Sequence, residues 1–260
     1  MALDVTAGVP APAVTVDLPV EGLTKAFVSS APIFSDVGFS VQRGEAIAIV
    51  GANGTGKSTL LRCLLSLIEP NSGIVAVLGQ DMTRQRRRAM RALRAQTVLV
   101  SQKHNLVPRL SLLSNVLHGL LGQGSGPRYW VHTLAPALTR EQAMEALAKV
   151  GMSDLALRRA DRLSGGQSQR VAIARSLVAR PRLLFADEST ASLDPAGGEE
   201  VMAKFFQLVC EEGVTVVFVS HNIAHALTYG DRVLGLAGGR LELDASASGL
   251  KVADLRKLYD

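Results

Sequence analysis

Residues 51–58 restrict what this 260-residue chain can fold into more than any other stretch. They read Gly-Ala-Asn-Gly-Thr-Gly-Lys-Ser and fit the pattern G-x-x-x-x-G-K-[ST]. A short apolar run at 46–50 precedes them, and an apolar stripe at helical spacing over 60–68 follows and stops before Pro70. A strand, a glycine turn and a helix start in that order point several backbone N–H groups at one small volume. The segment therefore predicts a phosphate-binding loop that holds a nucleotide.

The residue types in this loop fit that chemistry. Glycines allow backbone angles and close approaches that a side chain would block. Lys57 is expected to reach the β- and γ-phosphates, and the Ser58 hydroxyl to ligate Mg²⁺. The alternative is a glycine-rich turn that precedes Lys-Ser by accident, which the flanking strand and helix disfavour. The predicted nucleotide contacts in the loop are Gly51, Ala52, Asn53, Gly54, Thr55, Gly56, Lys57, Ser58 and Thr59.

Composition sets broad limits. Hydrophobic residues make up 47% of the chain, enough for one large core or for two subdomains that share a site. The formal net charge of +5 suits phosphate ligands, an acidic membrane surface or nucleic acid, and does not choose among them. Cys63 and Cys210 have no metal-ligand spacing, which favours free thiols in a reducing compartment. No apolar run approaches ~18 residues and no basic leader is evident, so any work at a membrane is expected to be peripheral.

The pattern along the chain alternates between strands and helices, after a loose tail over 1–13. This alternation predicts an α/β fold with a largely parallel central sheet. Two capping boxes are predicted, Thr139 with Gln142 and Ser164 with Gln167. The predicted strands are 14–18, 39–41, 46–50, 74–78, 97–101, 183–187, 214–219, 233–237 and 241–244. The predicted helices are 60–68, 84–94, 112–121, 140–150, 171–179, one from Pro195, and a short surface helix at 252–259.

Six arginines lie between positions 84 and 94. They are compatible with nucleic-acid binding, but the solvated outer face of a helix is the commoner reason for such a run.

Polar residues directly follow several predicted strands, and ligands in parallel sheets bind at the carboxyl ends of strands. Asp187 is expected to hold Mg²⁺ opposite Ser58, and Glu188 to polarise a water for attack on the γ-phosphate. Gln102 can bridge the metal and that water, and His221 can hydrogen-bond the γ-phosphate. Singly, each of these residues is more often a turn, a helix cap or a structural histidine. Their common order after a phosphate loop favours the catalytic interpretation.

Residues 163–167 (Leu-Ser-Gly-Gly-Gln) are the deciding feature of a resemblance to the ATP-binding cassette ATPases. This resemblance covers nearly the whole chain. We call 163–167 the signature. The resemblance implies a P-loop NTPase core of the RecA-like type, with an N-terminal antiparallel β subdomain and an inserted helical subdomain. It implies an ATPase domain at 14–245 with the helical insert at roughly 103–166, and a tail helix at 246–260. The family's motifs correspond to Phe27, 51–59, Gln102, the signature, 183–188, 192–194 and His221.

The resemblance also implies a head-to-tail homodimer with two bound ATP and Mg²⁺. Each ATP would lie between one copy's phosphate loop and the other copy's signature, with Phe27 stacked on the adenine. The implied partners are integral-membrane permease subunits and an extracytoplasmic solute-binding protein, with the ATPase peripheral on the cytoplasmic face of the membrane. Direct contact with nucleic acid is not expected. The remaining implied nucleotide contacts are Ser164, Gly165, Gly166, Gln167 and Asp194.

A narrower resemblance, at 105–119, 159–167 and 255–259, is to the ATPase subunits of phosphonate importers. The alternative transported solutes are phosphite, phosphate or another small molecule. Ser189, Ser168 and Asn222 depart mildly from the family's usual residues without removing a catalytic group. A soluble cassette ATPase acting on nucleic acid or ribosomes is the rival, but the chain lacks the tandem cassettes or long coiled-coil insert typical of that class. A small-molecule kinase would leave the signature without a role.

Overall fold

The computed structural model describes residues 15–27, 31–82, 87–101, 105–123, 127–187 and 195–259. Within these ranges, ten strands form two sheets, and eight α-helices pack on and between them. The strands are β1 (Val16–Lys25), β2 (Phe34–Gln42), β3 (Ala46–Val50), β4 (Ser72–Val77), β5 (Gln80–Asp81), β6 (Thr97–Ser101), β7 (Leu183–Asp187), β8 (Thr215–Val219), β9 (Arg232–Ala237) and β10 (Arg240–Ser246). The helices are α1 (Lys57–Leu64), α2 (Arg87–Arg94), α3 (Leu112–Leu117), α4 (Ala137–Lys149), α5 (Gly165–Leu177), α6 (Pro195–Glu211), α7 (Ile223–Tyr229) and α8 (Val252–Arg256).

The larger sheet has the order β10-β9-β3-β8-β7-β6. Its strands run parallel except β10, which pairs antiparallel with β9. The smaller sheet, β2-β1-β4-β5, is antiparallel throughout. These findings confirm the predicted α/β class, the largely parallel central sheet and the antiparallel N-terminal sheet.

The central strands are apolar on both faces because each face covers a separate core. In β3, Ile47 and Ile49 belong to the core shared with the smaller sheet, α1 and α2, whereas Ala48 and Val50 belong to the core under helices α3 to α8. The same alternation continues in β7 and β8. Two-sided burial explains why these strands read as continuous apolar runs in the sequence.

Helices α3, α4 and α5 pack against one another on one side of the sheet. Their shared core includes Leu113, Val116, Leu147 and Val171. Helices α3 and α4 lie inside the segment 103–166, whose status as a separate subdomain stays a prediction.

Several boundaries differ from the sequence predictions. Helix α1 starts at Lys57 and ends by Leu65, because Ser66 adopts a positive φ of 51° that breaks the helix. Helix α5 starts at Gly165, six residues before the predicted start, because the capping box at Ser164 fixes its first turn. The predicted capping box at Thr139 is wrong: α4 already begins at Ala137, and the Thr139 hydroxyl donates back to the Pro136 carbonyl at 2.8 Å.

The C-terminal helix α8 is anchored rather than merely laid on the surface. The Leu255 side chain is completely buried, and the Leu258 side chain packs over Gly235 in β9. Within the described ranges, no helix has both the length and the hydropathy needed to cross a bilayer.

Candidate active site

The phosphate loop between β3 and α1 depends on glycines at close approaches. Gly51 has a φ of 143°, and a Cβ there would lie 2.1 Å from the carbonyl oxygen of Leu236 in β9. Gly56 has a φ of 96°, and a Cβ there would lie 2.5 Å from the Ile33 side chain. Larger residues at these two positions would push the loop away from β9 and from the start of β2.

Lys57 lies across this loop and is almost completely buried. Its Nζ donates to the carbonyl oxygens of Gly51 at 2.8 Å and Ala52 at 2.7 Å. Helix α1 begins here with Gly56 as its N-cap, which supplies no side-chain acceptor to the first N–H groups of the helix. A fixed ammonium beside a helix N-terminus is an electrostatic environment that favours a polyphosphate.

Ser58 and Asp187 meet at this loop although they are far apart in sequence. The Ser58 hydroxyl donates to Asp187 Oδ1 at 3.1 Å, which joins the first turn of α1 to the end of β7. Hydroxyl and carboxylate oxygens are ligands that Mg²⁺ prefers, so the donor set fits that ion. The assignment of Ser58 and Asp187 to magnesium stays a prediction.

Register brings the other predicted strand ends to the same edge. Ser101, Asp187, Val219 and Ile49 are successive partners across β6, β7, β8 and β3. Gln102 and Glu188 follow the first two of these strands in the chain, and Asp194 precedes α6; all three lie outside the described residues. Their predicted roles are therefore not tested by side-chain geometry.

Past residues 102–104, the chain is held at Asn105. The Arg175 guanidinium in α5 donates to the Asn105 carbonyl at 2.8 Å, and the Asn105 amide donates to the Ser101 hydroxyl at 3.0 Å. Burial lowers the pKa of Arg175. These two hydrogen bonds attach Asn105, which follows the segment 102–104, to helix α5 and to the end of β6.

His221 is solvent-exposed in a tight turn after β8. The Ser220 hydroxyl donates to the Asn222 carbonyl at 2.9 Å and accepts from the Asn222 N–H at 3.1 Å, so the two neighbours of His221 close the turn. The Asn222 side chain then caps α7 by accepting from the Ala224 N–H at 2.9 Å. This cap gives the unusual Asn222 a structural reason.

The signature forms the first turn of α5. The Ser164 hydroxyl accepts from the Gln167 N–H at 3.3 Å, and the Gln167 side chain accepts from the Ser164 N–H at 3.1 Å. The predicted capping box is thus confirmed. Ser164 and Gly165 are solvent-exposed, and Gly166 and Gln167 are partly exposed. This glycine-lined helix end is open to a ligand or a second molecule.

Phe27, the predicted adenine contact, has 49% of its surface exposed, and the Lys25 ammonium lies 5.2 Å from its ring centroid. Stacking on adenine stays a prediction.

Sequence reasoning missed that Tyr259, near the C-terminus, lies beside the phosphate loop. Burial raises the pKa of the Tyr259 phenol, and the backbone of Gly51 beside it opposes that rise. The closing run 255–259 carried the only signal, as part of the resemblance to phosphonate importers.

Comparisons with known proteins agree with this geometry. The sequence profile of the family described as ABC transporter matches residues 34–191. A phosphonates import ATP-binding protein of Nocardia farcinica is 44% identical over 92% of this chain and 88% of its own length. A phosphate-import ATP-binding protein of Mycolicibacterium smegmatis is 46% identical over 86% of this chain and 84% of its own length.

Solved structures are similar as well. The dimeric ATP-binding cassette MJ0796 bound to ADP and Pi aligns with a TM-score of 0.76 at 30% identity, covering 90% of this chain and all of that one. CbiO1 from Clostridium perfringens, part of an ABC transporter complex, aligns with a TM-score of 0.79 at 28% identity over 94% of each chain.

Proposed function

Because the chain belongs to the ABC transporter family of ATP-binding proteins, we propose that it is the ATP-hydrolysing subunit of a phosphonate importer. It works as a head-to-tail dimer, peripheral on the cytoplasmic face of the membrane. There it drives permease subunits that receive the solute from an extracytoplasmic binding protein.

The contact between Ser58 and Asp187 carries the proposal. It sets two oxygen ligands 3.1 Å apart, beside a phosphate loop whose lysine is fixed across its first two carbonyls. Ser58 and Asp187 would hold Mg²⁺, which neutralises charge on the β- and γ-phosphates when bound. Lys57 and the loop N–H groups bind and orient those phosphates.

Three further residues complete the proposed chemistry. Glu188 follows the last residue of β7 and is our candidate to accept a proton from the attacking water. Gln102, after β6, would bridge that water and the metal, and His221 would donate to the γ-phosphate. The aligned ends of β6, β7 and β8 support these roles, because Gln102 and Glu188 directly follow their strands and His221 comes two residues after the end of β8.

Exposure of the signature supports the dimer. A phosphate loop alone leaves the γ-phosphate open to water, and a second glycine-lined helix end would cover it. Each charge-assisted hydrogen bond gained is worth about 1.5–3 kcal/mol, so ATP would stabilise the closed pair and its hydrolysis would release it. The relative MJ0796 is a dimer with ADP and Pi bound, which supports a nucleotide-bound dimer for this chain.

The segment after Gln102 supports docking to a permease. Asn115 is completely buried, and its side chain binds the backbone of Val107 in both directions, at 2.7 and 3.2 Å. This clamp gives the surface loop a fixed shape, and Val107 presents 40% of its surface there. A rigid loop with an exposed apolar residue suits a helix from a membrane partner.

The names of the relatives favour phosphonate as the solute and leave phosphate as a second candidate, because the mycobacterial relative is named for phosphate import. The ATPase does not touch the solute, so the choice rests with the permease and the binding protein.

Glu188→Gln tests the hydrolytic role. The full-length variant should still bind MgATP but release phosphate about 10²–10⁴ times more slowly than wild type, the range for losing a positioned acid or base. Glu211→Gln is the matched control, since Glu211 is exposed at the far end of α6, where its carboxylate accepts from the Gln207 side chain at 2.7 Å. Unchanged turnover in Glu188→Gln would contradict the role given to Glu188.

Growth on a phosphonate as sole phosphorus source tests the solute. A strain lacking the gene should fail to grow, wild-type chain should restore growth, and Lys57→Ala should not. If the strain lacking the gene instead grows on the phosphonate and fails to grow on phosphate, phosphate is the favoured solute.

Copurification tests the partner. The chain should copurify from detergent extracts with a polytopic membrane protein. Nuclease-sensitive retention on RNA or DNA would favour the rival class of cassette ATPases that act on nucleic acid or ribosomes.

A further inference from the structure

Helices α6 and α7 are joined by a polar network of three side chains. Glu199 in the first turns of α6 uses both carboxylate oxygens. His225 Nε2 lies 2.7 Å from Oε2, and the Tyr229 hydroxyl donates to Oε1 at 2.7 Å. His225 is buried, whereas about half of the Glu199 side chain is exposed. One carboxylate thus fixes two side chains on successive turns of α7.

Aromatic packing makes this network rigid. The Tyr229 ring stacks on Phe206 of α6 with centroids 4.6 Å apart and planes 5° from parallel, and Phe206 contacts Phe218 of β8 edge-on at 4.8 Å. Hydrogen bonds from Tyr229 and His225 lower the pKa of Glu199. Glu199 is therefore an ionised acceptor at neutral pH, held in place by a phenol that cannot move freely.

The network is connected directly to the turn that holds His221. The His225 backbone N–H donates to Asn222 Oδ1 at 3.4 Å, and Asn222 closes the His221 turn with Ser220. His225 therefore contacts α6 through its ring and the His221 turn through its main chain. The first turn of α7 and the His221 turn are thus coupled through Asn222, whose side chain caps the helix and whose main chain closes the turn.

Glu199 is what orients that ring. His225 Nδ1 is buried and has no hydrogen-bond partner among the described residues, so Nε2 makes the ring's polar contact. His225 and His221 both line one open cleft of about 560 Å³, together with Asn222 and Arg256 of α8. Without the carboxylate, the ring can turn into this cleft, because no other residue in the described ranges hydrogen-bonds to either ring nitrogen.

We propose that Glu199 is a positioning residue for His221 and acts through His225. This rests on the proposed function, in which His221 contacts the γ-phosphate. The contact of Glu199 with His225, which we call the bridge, connects α6 to the His221 turn after β8. Helix α6 begins directly after Asp194 in the chain. Movement of one helix would then be transmitted to the placement of His221.

Kinetics of the full-length chain test the bridge. Glu199→Ala should lower kcat about 10-fold, less than the ~10²-fold that a 1 Å misplacement of a catalytic group can cost, with KM for ATP changed less than about twofold. Glu199→Gln should recover part of this loss, because an amide keeps an acceptor for Tyr229. Glu211→Ala, at the other end of α6, is the matched control and should behave as wild type.

A double-mutant cycle separates positioning from general destabilisation. In a His221→Ala background, measured by single-turnover phosphate release, Glu199→Ala should add less than about twofold, because residues that act as a unit are not additive. A full additional 10-fold loss would overturn the proposal, and so would wild-type kcat in Glu199→Ala.

Histidine NMR gives a readout that does not depend on hydrolysis. The His221 imidazole resonance, assigned by its loss in His221→Ala, should shift in Glu199→Ala and not in Glu211→Ala. An unshifted resonance would contradict the bridge. If wild-type chain releases no phosphate, the proposed function fails, and this shift still decides the bridge on its own.

Discussion

Lys57 is the residue on which phosphate binding should depend most. It is buried, and its ammonium is held by the carbonyls of Gly51 and Ala52 at the mouth of α1. The described geometry offers no other cation bound to this loop. If the proposed function holds, removing it would take away both the charge and the donor that orient the β- and γ-phosphates.

We therefore expect Lys57→Ala to lose binding of a fluorescent ATP analogue, measured by titration. Lys204→Ala is a suitable control because Lys204 is exposed on α6 and contacts Gln207. Wild-type affinity in Lys57→Ala would show that the phosphate-loop assignment is wrong.

Because of Tyr229, the free energy of unfolding should depend on pH in the alkaline range. Burial, with help from Glu199, raises its pKa to about 12. An ordinary tyrosine has a pKa of about 10, so between pH 10 and 12 the unfolded chain loses this proton while the folded chain keeps it. The free energy of unfolding contributed by Tyr229 is present below pH 10 and falls as pH rises through this window.

Urea denaturation between pH 9 and 12 measures the effect. Wild type should lose more free energy of unfolding over this range than Tyr229→Phe, which has no phenol proton to keep. Parallel pH dependences for the two proteins would contradict the assigned shift.

At the scale of elements, helix α8 stabilises the fold through the residues on its buried face. Leu255 is completely buried against the core under the helices, whereas Val252 in the same helix has 42% of its surface exposed. A buried leucine leaves a cavity when truncated, and an exposed valine does not.

Leu255→Ala should lower the free energy of unfolding by about 2–5 kcal/mol, measured by chemical denaturation. Val252→Ala should change it by no more than about 0.5 kcal/mol. Equal effects of the two substitutions would mean that α8 is not anchored by Leu255.

Elements with strong local signals were predictable from the sequence. The apolar runs of β3 and β7 predict strands because both faces of these strands are buried. Ser164 with Gln167 predicts the start of α5 because a capping box depends only on residues close in sequence. Thr139 with Gln142 has the same pattern, yet there the helix begins earlier, at Ala137, and takes Pro136 as its N-cap. The pattern alone does not distinguish an N-cap from a residue inside the first turn.

Contacts between distant segments were only partly predictable. The meeting of Ser58 with Asp187 could be expected, because Asp187 ends one parallel strand and Ser58 lies just beyond the loop that follows another strand of the same sheet. The link from Glu199 to His225 could not, because it depends on how α6 and α7 lie against each other. The anchoring of the C-terminal segment also depends on tertiary packing, since Leu255 belongs to a short helix with little periodicity to read.

At the scale of the whole molecule, one sheet edge collects the phosphate loop, Asp187 and the His221 turn, while the signature lies exposed on α5. Neither set alone surrounds a triphosphate. In the proposed dimer, two copies arranged head to tail would enclose one triphosphate at each phosphate loop, and both sets of residues would then be needed.

Sedimentation velocity of full-length Glu188→Gln, with and without MgATP, tests this most directly. The variant should be a monomer without nucleotide and a dimer at saturating MgATP, because ATP is held between the copies and not consumed. Lys57→Ala in the same background should abolish the dimer. A Glu188→Gln chain that binds MgATP and yet stays monomeric would contradict the head-to-tail account.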